Sequence, residues 1–213
     1  EIADRDWSSD VCSSDLLLYA MPVMSQTVYH VHATKGNDAH DGQSWSEALA
    51  TLQTALDKAQ PGDAVYVAAG TYHPTRRIGE TLAHNPKQKT TDRHRSFMVR
   101  GRIRLYGGFP ADATDHTTIK DRDWKMHRTI LSGDFNGDDG ADFSNMSENA
   151  YHVLVLLDAG SSAEAELSAE IDGFTITGGH ANEENSVLIG ETPVSSEFGG
   201  GIYAYTEIGR AHV

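Results

Sequence analysis

The segment with the clearest capacity for chemistry is the loop GDFNGDDGADFSN, which concentrates hard oxygen ligands. Its carboxylate and amide side chains fall within nine residues: Asp134, Asn136, Asp138, Asp139 and Asp142. Because calcium takes roughly six to eight oxygen ligands, the loop predicts a calcium site. The spacing begins like an EF-hand but departs at Asp139, where glycine is required, and at Asn145, where glutamate is required. The alternative is a solvated loop whose Asp, Asn and Gly residues serve turns.

Two basic segments are candidates to face an anionic sugar polymer. They are residues 76–95 (RRIGETLAHNPKQKTTDRHR) and the segment IKDRDWKMHR, which contains Lys120, Arg122 and Lys125. Abstraction of the α-proton of a uronate requires a base, and also positive charge on the carboxylate to stabilise the anionic transition state. The alternative is that both segments are solvated loops of mixed charge.

Aromatic and histidine side chains supply further candidates. Sugar rings could stack on Trp124, Tyr72, Tyr203 and Tyr205, although aromatic residues in sheets more often form side-chain ladders. The histidines are His30 and His32, which share a strand face, and His40 nearby. They lack the additional ligands usual at zinc sites, so a polar strand face is the favoured interpretation.

A helix and a series of short strands must position these residues. In SWSEALATLQTALDKAQPGD, Ser44 and Glu47 predict a capping box, and Pro61-Gly62 ends the helix. Its apolar stripe is Leu49, Leu52, Leu56 and Ala59. One predicted strand, TVYHVHA, precedes the helix. Seven follow it: AVYVAAGTY, SFMVRG, IRLYGGF, TILSGD, YHVLVLLD, IDGFTITGG and GGGIYAY.

The spacing of the later strands favours a stacked architecture. Their starts, near residues 103, 129, 152, 171 and 200, lie roughly 20 to 30 residues apart, as in repeat proteins. The amphipathic helix would then cap the open end of a β-solenoid. An antiparallel sandwich is compatible with the strand count. In YHVLVLLD both faces are apolar, which predicts that a further segment, such as residues 109–128, covers the outer face at Leu154 and Leu156.

Both ends of the chain have an origin outside the protein. The DNA GACGTGTGCTCTTCCGAT translates to residues 10–15, and its reverse complement translates to residues 208–213. We therefore expect residues 1–16 and 207–213 to derive from a sequencing adapter, which leaves the single cysteine, Cys12, without an evolved role. Residues 17–25 are typical of the end of a secretory signal peptide, although a buried strand is the alternative.

Charge limits the classes of partner. The chain carries a net charge of −14, and removal of the terminal segments leaves 25 acidic against 15 basic residues. Nucleic-acid binding requires a basic surface, so this balance argues against it. It is compatible with an exported protein that holds cations. No cysteine remains outside the terminal segments to form a disulfide.

The motifs GNDAHDGQSWSEALATLQTALDKAQPGDAVYVAAGTYHPT, LYGGF, TILSGDFNGDD, IDGFTITGG and GGGIYAY resemble, in this order, secreted right-handed parallel β-helix proteins of the pectate-lyase-like superfamily. The last two motifs are similar to the polymorphic outer-membrane-protein repeats of Bacteroidetes-type surface proteins. The resemblance covers nearly all of residues 28–205. It implies an all-β fold of three parallel sheets, in which residues 26–62 form an N-terminal strand and capping helix and residues 63–206 form the first coils of a truncated β-helix.

This fold carries lyases, hydrolases, epimerases and adhesins, so it does not determine the activity. We expect an exported, surface-located bacterial protein that adheres to a polysaccharide or a host or cell-surface glycan, with membrane attachment only through an anchor outside this sequence. The alternative is a polysaccharide lyase acting on acidic glycans, with its catalytic residues on further coils. Neither a catalytic residue nor an oligomeric state follows from the sequence.

Overall fold

The computed structural model describes residues 26–78, 89–157, 169–190 and 192–205. The predicted adapter-derived segments and the predicted signal-peptide remnant therefore lie outside the described residues. In the described part, one α-helix, α1 (Leu52–Lys58), accompanies twelve short strands. The strands are β1 (Val28–Val31), β2 (Ala64–Ala68), β3 (Gly70–Tyr72), β4 (Phe97–Arg100), β5 (Arg104–Phe109), β6 (Thr129–Ser132), β7 (Leu154–Leu157), β8 (Glu170–Asp172), β9 (Phe174–Thr177), β10 (Ser186–Ile189), β11 (Thr192–Ser195) and β12 (Ile202–Tyr205).

The strands are distributed over four small sheets. Three are parallel, with strand orders β1-β2-β5-β8, β3-β6-β9 and β4-β7-β12. The fourth is an antiparallel hairpin of β10 and β11. Apolar residues are in register across the parallel sheets: Val65 pairs with Leu105, which pairs with Ile171. This register stacks like side chains in one core, because alternate strand residues point to the same face.

The predicted continuous right-handed parallel β-helix is wrong. The described strands form several separate sheets of two to four strands, parallel and antiparallel, together with an α-helix. The physical reason is clearest after β9, where the chain folds back on itself as the hairpin. Gly190, with φ of 63°, occupies the turn in the left-handed region that a tight hairpin requires.

The helix is shorter than the sequence pattern predicts. It begins after the N-cap Thr51, whose side-chain oxygen accepts a hydrogen bond from the Thr54 N–H. Leu52, Ala55 and Leu56 on its buried face join the main core, as does Leu49, which precedes the helix. The helix packs against β4, β1 and β2, and it thereby covers one side of that core.

Both faces of β7 are covered, but the predicted assignment of the faces is wrong, and so is the covering segment. Leu154 and Leu156, which were predicted on the outer face, face the main core, whereas Val155 and Leu157 pack in a second cluster. That second cluster is formed with Ile78 and with apolar residues of the hairpin: Val187, Ile189 and Val194. The hairpin therefore buries β7 on its second side, and residues 109–128 do not take this role. None of the helices in the described segments has the length and hydropathy needed to cross a membrane.

Candidate functional site

A cleft of about 590 Å³ opens between the short 3-10 helix before β4 and the loops that follow β6 and precede β7. We call it the arginine cleft. Its walls include three guanidinium groups, two aromatic rings and two carboxylates: Arg77, Arg93, Arg95, Phe135, Tyr151, Asp92 and Glu148. Tyr151 is buried, whereas the Phe135 side chain is half-buried. A concave site with charged groups and one accessible ring can hold a polar ligand that also has an apolar face, as sugars have.

The backbone around the 3-10 helix Asp92–His94 fixes the arginines. His94 is buried, and its Nδ1 accepts a hydrogen bond from the Thr91 N–H at 2.9 Å. The Tyr151 N–H donates to the Arg93 carbonyl at 2.8 Å, which joins this helix to the segment before β7. Because His94 points inward, its neighbours Arg93 and Arg95 project toward the cleft.

Asp92 holds two of the arginines. It forms ion pairs with Arg77 and Arg95, and the Arg77 Nε–Oδ1 distance is 3.2 Å. The hydrogen bond from Arg77 lowers the pKa of Asp92, and the Arg95 charge adds to this effect. The Arg95 guanidinium also lies 4.9 Å from the centre of the Phe135 ring. Asp92 thus orients both cations.

Arg93 is held by backbone and ring contacts. Its guanidinium donates to the carbonyls of Asn149 and His180, each at 2.7 Å, and lies 4.0 Å from the centre of the Tyr151 ring. Burial lowers its pKa from the usual value, but an arginine remains a cation at neutral pH. Arg93 therefore supplies fixed positive charge to the wall of the cleft.

An acidic triad borders the same cleft at Glu148. Carboxylate oxygens of Asp134, Asp139 and Glu148 lie within 4.8 Å of one another. Burial raises the pKa of Asp134, but hydrogen bonds from the backbone N–H groups of Asp139 and three preceding residues outweigh it and lower the pKa overall. Asp134 is therefore ionised, and three clustered carboxylates offer a divalent cation three anionic oxygen ligands.

Two oxygens at the triad lack partners among the described residues. They are Glu148 Oε1 and Asn149 Oδ1, both of which are shielded from solvent. The Asn149 amide is fully buried, and its Nδ2 donates to both oxygens of Asp139 at 3.0 and 2.9 Å. Because buried oxygens without donors are costly, a cation or an ordered water would supply the missing partner of Glu148 Oε1, whereas Asn149 turns its Nδ2 toward the triad.

The structure brings together two of the five predicted metal ligands. Asp134 and Asp139 belong to the triad, whereas the carboxylates of Asp138 and Asp142 do not. Asp138 contributes its backbone N–H to Asp134 at 3.3 Å, and Asn136 lines the arginine cleft.

Sequence reasoning missed Glu148. A backbone hydrogen bond from the Ala150 N–H to the Gly133 carbonyl, at 2.9 Å, places residues before β7 beside the end of β6. That pairing carries Glu148 and Asn149 to the acidic loop. TILSGD and YHVLVLLD form β6 and β7 in different sheets, so no strand pairing between these two segments predicts the contact.

The predicted sugar-stacking residues are not assembled into one site. Trp124 is 59% exposed and lies beside Gly108 of β5, with Lys125 Nζ 5.1 Å from its ring centre. Tyr203 and Tyr205 lie on β12 and pack against the second apolar cluster. Tyr72 is buried at 4% exposure, and its hydroxyl donates to the Ala68 carbonyl at 3.0 Å. The aromatic rings in the arginine cleft are instead Phe135 and Tyr151.

The three N-terminal histidines each contact a backbone carbonyl. The ring nitrogens of His30, His32 and His40 lie 3.2, 2.9 and 3.2 Å from the carbonyls of Gly42, Ala111 and Ala48. His30 also packs edge-on against Trp45 at 4.7 Å. These contacts give the histidines structural roles without a metal.

The chain matches no protein-family model, and neither the curated proteins nor the solved structures contain a match to it.

Proposed function

We propose that this protein binds an acidic glycan in the arginine cleft, with a calcium ion at Asp134, Asp139 and Glu148 as part of the binding site. The observation that carries the proposal is that three arginines, the Phe135 ring and Glu148 of the acidic triad line a single cleft. A uronate unit presents a carboxylate, hydroxyl groups and an apolar ring face, and each of these has a chemical counterpart there.

Electrostatics support an anionic ligand once calcium is bound. The three guanidinium groups of the cleft face four carboxylates, those of Asp92 and of the triad, and a calcium ion at the triad would set five positive charges against these four negative ones. Arginine is suited to carboxylates because its planar fork donates two parallel hydrogen bonds. In the free protein Asp92 already accepts hydrogen bonds from Arg77 and Arg95, so a glycan carboxylate would compete with Asp92 for these donors.

Calcium would link the triad to the glycan. Calcium coordinates roughly six to eight oxygens. The triad provides fewer ligands than this, which leaves positions for glycan carboxylate or hydroxyl oxygens. This proposal uses a narrower ligand set than the sequence predicts, since Asp138 and Asp142 lie outside the triad.

Binding without turnover is the function that the described residues favour. The three arginines of the cleft already donate to carboxylates or carbonyls, and a protonated guanidinium cannot serve as a base. We therefore propose an adhesive or glycan-binding role, on an exported and surface-located protein, ahead of a polysaccharide lyase.

Isothermal titration calorimetry with trigalacturonate in 1 mM calcium tests the proposal. Neutral galactotriose serves as the matched sugar without carboxylates. Trigalacturonate should bind with a dissociation constant in about the millimolar to micromolar range, and galactotriose should bind at least about tenfold more weakly. Equal affinities, or no heat from trigalacturonate, would reject the arginine cleft as an acidic-glycan site.

Two variants test the contribution of charged side chains in the arginine cleft. Arg95→Met should weaken binding, because it removes a cation beside Phe135. Asp92→Asn should strengthen binding, because it releases Arg77 and Arg95 from a competing carboxylate. Lys35→Met, which removes a positive charge from an exposed position, is the control. A rise in absorbance from unsaturated products during the titration would indicate the lyase instead.

A further inference from the structure

A second cleft, of about 350 Å³, lies between α1 and β4, and we call it the helix cleft. It shares no lining residue with the arginine cleft. Its walls are apolar at Leu56, Pro61, Met98 and Ile103. Four polar side chains interrupt this apolar lining: Gln53, Asp57, Gln60 and, at the end of β4, Arg100.

Gln53 has a buried acceptor with no partner. The residue is 5% exposed, and its Oε1 receives no hydrogen bond from the described residues. Its Nε2 donates to Asp57 Oδ1 at 3.4 Å, so reversing the amide would set two oxygens against each other. The oxygen therefore keeps its orientation, and a buried acceptor without a donor is costly in a folded protein.

Arg100 is a cation whose only described hydrogen bond is weak. Its Nη2 donates to the thioether sulfur of Met98 at 3.4 Å. Burial lowers the pKa of Arg100, and the Asp57 charge acts in the opposite direction. A half-buried guanidinium normally has oxygen acceptors, and thioether sulfur is a poor substitute.

The nearest acid is already committed to another arginine. Asp57 forms two contacts with Arg76, from Nη1 to Oδ1 at 2.7 Å and from Nη2 to Oδ2 at 2.6 Å. This bidentate arrangement uses both carboxylate oxygens and is among the stronger forms of ion pair. Arg100 therefore has no ion pair among the described residues, and Asp57, which also lines the helix cleft, acts on it only through its charge.

We propose that the helix cleft binds a small amphipathic carboxylate, which places its carboxylate on Arg100, its apolar body against Leu56 and Met98, and a hydroxyl or N–H donor on Gln53 Oε1. The three parts of this ligand correspond to Arg100, which has no ion pair among the described residues, to the apolar wall and to the unpartnered acceptor. Pockets of roughly 300 Å³ and above hold small molecules, so the volume suits one aromatic ring with two short substituents. The glycan site plays no part in this proposal, because the two clefts are lined by different residues.

Three probes separate the contributions of the ligand groups. The full probe is 4-hydroxyphenylacetate, phenylacetate lacks the donor, and 4-hydroxyphenethyl alcohol lacks the carboxylate. Binding is followed by NMR through the ¹³C-labelled methyl group of Met98 in the 213-residue chain. The full probe should give a saturable shift at millimolar concentration, and each incomplete probe should bind about tenfold more weakly.

Two variants assign the effect to the named side chains. Arg100→Met should weaken binding of the full probe about tenfold, while Lys35→Met, which removes an exposed charge elsewhere, should leave it unchanged. Gln53→Met removes the unpartnered acceptor at similar volume, so it should raise the melting temperature and abolish the preference for 4-hydroxyphenylacetate over phenylacetate.

The proposal is overturned if the Met98 signal does not saturate with the full probe up to about 10 mM. It is also overturned if the alcohol binds as well as the acid, which would indicate apolar binding alone. Unchanged affinity in Arg100→Met would have the same consequence. Melting curves of both variants verify that each is folded before its affinity is interpreted.

Discussion

Replacing Glu148 with glutamine is expected to change stability in opposite directions in the absence and presence of calcium. The Glu148 carboxylate lies within 4.8 Å of those of Asp134 and Asp139. Without an ion, the three negative charges repel one another, and glutamine removes two of the three repulsive pairs. With an ion, the same substitution removes one of three anionic ligands.

The size of the expected stability change follows from the distance between the carboxylate oxygens. At 4.8 Å, two unit charges in a water-like medium repel by about 0.9 kcal/mol, and dissolved salt reduces this value. Glu148→Gln should therefore stabilise the calcium-free protein by about 1 kcal/mol, which corresponds to a rise of about 3 °C in the melting temperature. For the wild type, calcium at about 100 times its dissociation constant should add about 2.7 kcal/mol.

The assay is a thermal melt of each protein in chelator and in calcium. Glu148→Gln should melt above the wild type in chelator and show a smaller rise on addition of calcium. Asp142→Asn is the matched control, because it removes a charge from the same loop but from outside the triad. If both variants behave alike in the two conditions, or if calcium raises the melting temperature of Glu148→Gln as much as that of the wild type, the triad is not the ion site.

Three further predictions concern buried groups. Burial lowers the pKa of His94 and of His152, so both imidazoles are neutral in the folded protein. Their contribution to the free energy of unfolding should therefore be complete above a pH of about 6.5 and should fall as the pH drops below it. Denaturant unfolding across this pH range should show that the unfolding free energy of His152→Gln falls less steeply than that of the wild type. An identical fall would contradict the lowered pKa of His152. Burial raises the pKa of Tyr72 to about 12, so stability should also fall as the pH rises from about 10 toward 12, and Tyr72→Phe should remove that fall in the same assay. Val194→Ala should lower the free energy of unfolding by about 2 kcal/mol, because this hairpin side chain is fully buried in the second cluster. Leu188→Ala, at a hairpin position that is 44% exposed, should lower it far less. Equal losses would show that the hairpin does not cover β7 as described.

The positions of most strands could be predicted from the sequence, but their arrangement could not. Each predicted segment contains a described strand, because alternation of apolar residues along a short segment predicts a strand that is buried on one face. IDGFTITGG nevertheless divides at Gly173, where φ is 82°, into β8 and β9 of different sheets. A positive φ is not visible in an apolar pattern, so the sequence does not show where the chain leaves one sheet for the next.

The hairpin was missed although its signal is present. Sequence reasoning assigned no strand to residues 182–198, where Val187 and Ile189 alternate before Gly190 and Val194 follows it. Apolar alternation on both sides of a glycine turn is typical of a hairpin. Its polar flanks made the segment resemble a loop, and only the packing on β7 shows what it buries.

Tertiary contacts explain the shortened helix. The predicted Ser44–Glu47 bond exists, from the Glu47 N–H to Ser44 Oγ at 3.1 Å. However, Asp115 accepts hydrogen bonds from Ser46, and Asp38 accepts from the backbone N–H groups of residues 50 and 51. These side chains satisfy donors that would otherwise lie in the first turn, so the helix begins only after Thr51.

The candidate site was predicted only where its residues are close in the sequence. Asp134 and Asp139 could be found because they share one loop. Glu148 comes from the segment before β7, and the arginines of the cleft come from before β4, so their convergence depends on strand pairing. Residues 76–95 were recognised as a basic segment, but the sequence did not show that Phe135 and Tyr151 lie opposite Arg95 and Arg93.

The most direct test of the central claim is the affinity for trigalacturonate measured by calorimetry in calcium and again in chelator. If a calcium ion at Asp134, Asp139 and Glu148 takes part in binding, chelation should weaken the affinity at least about tenfold, and Glu148→Gln in calcium should show a similar loss. Equal affinity in calcium and chelator, with Glu148→Gln indistinguishable from the wild type, would contradict the claim that the acidic triad and the arginine cleft form one site.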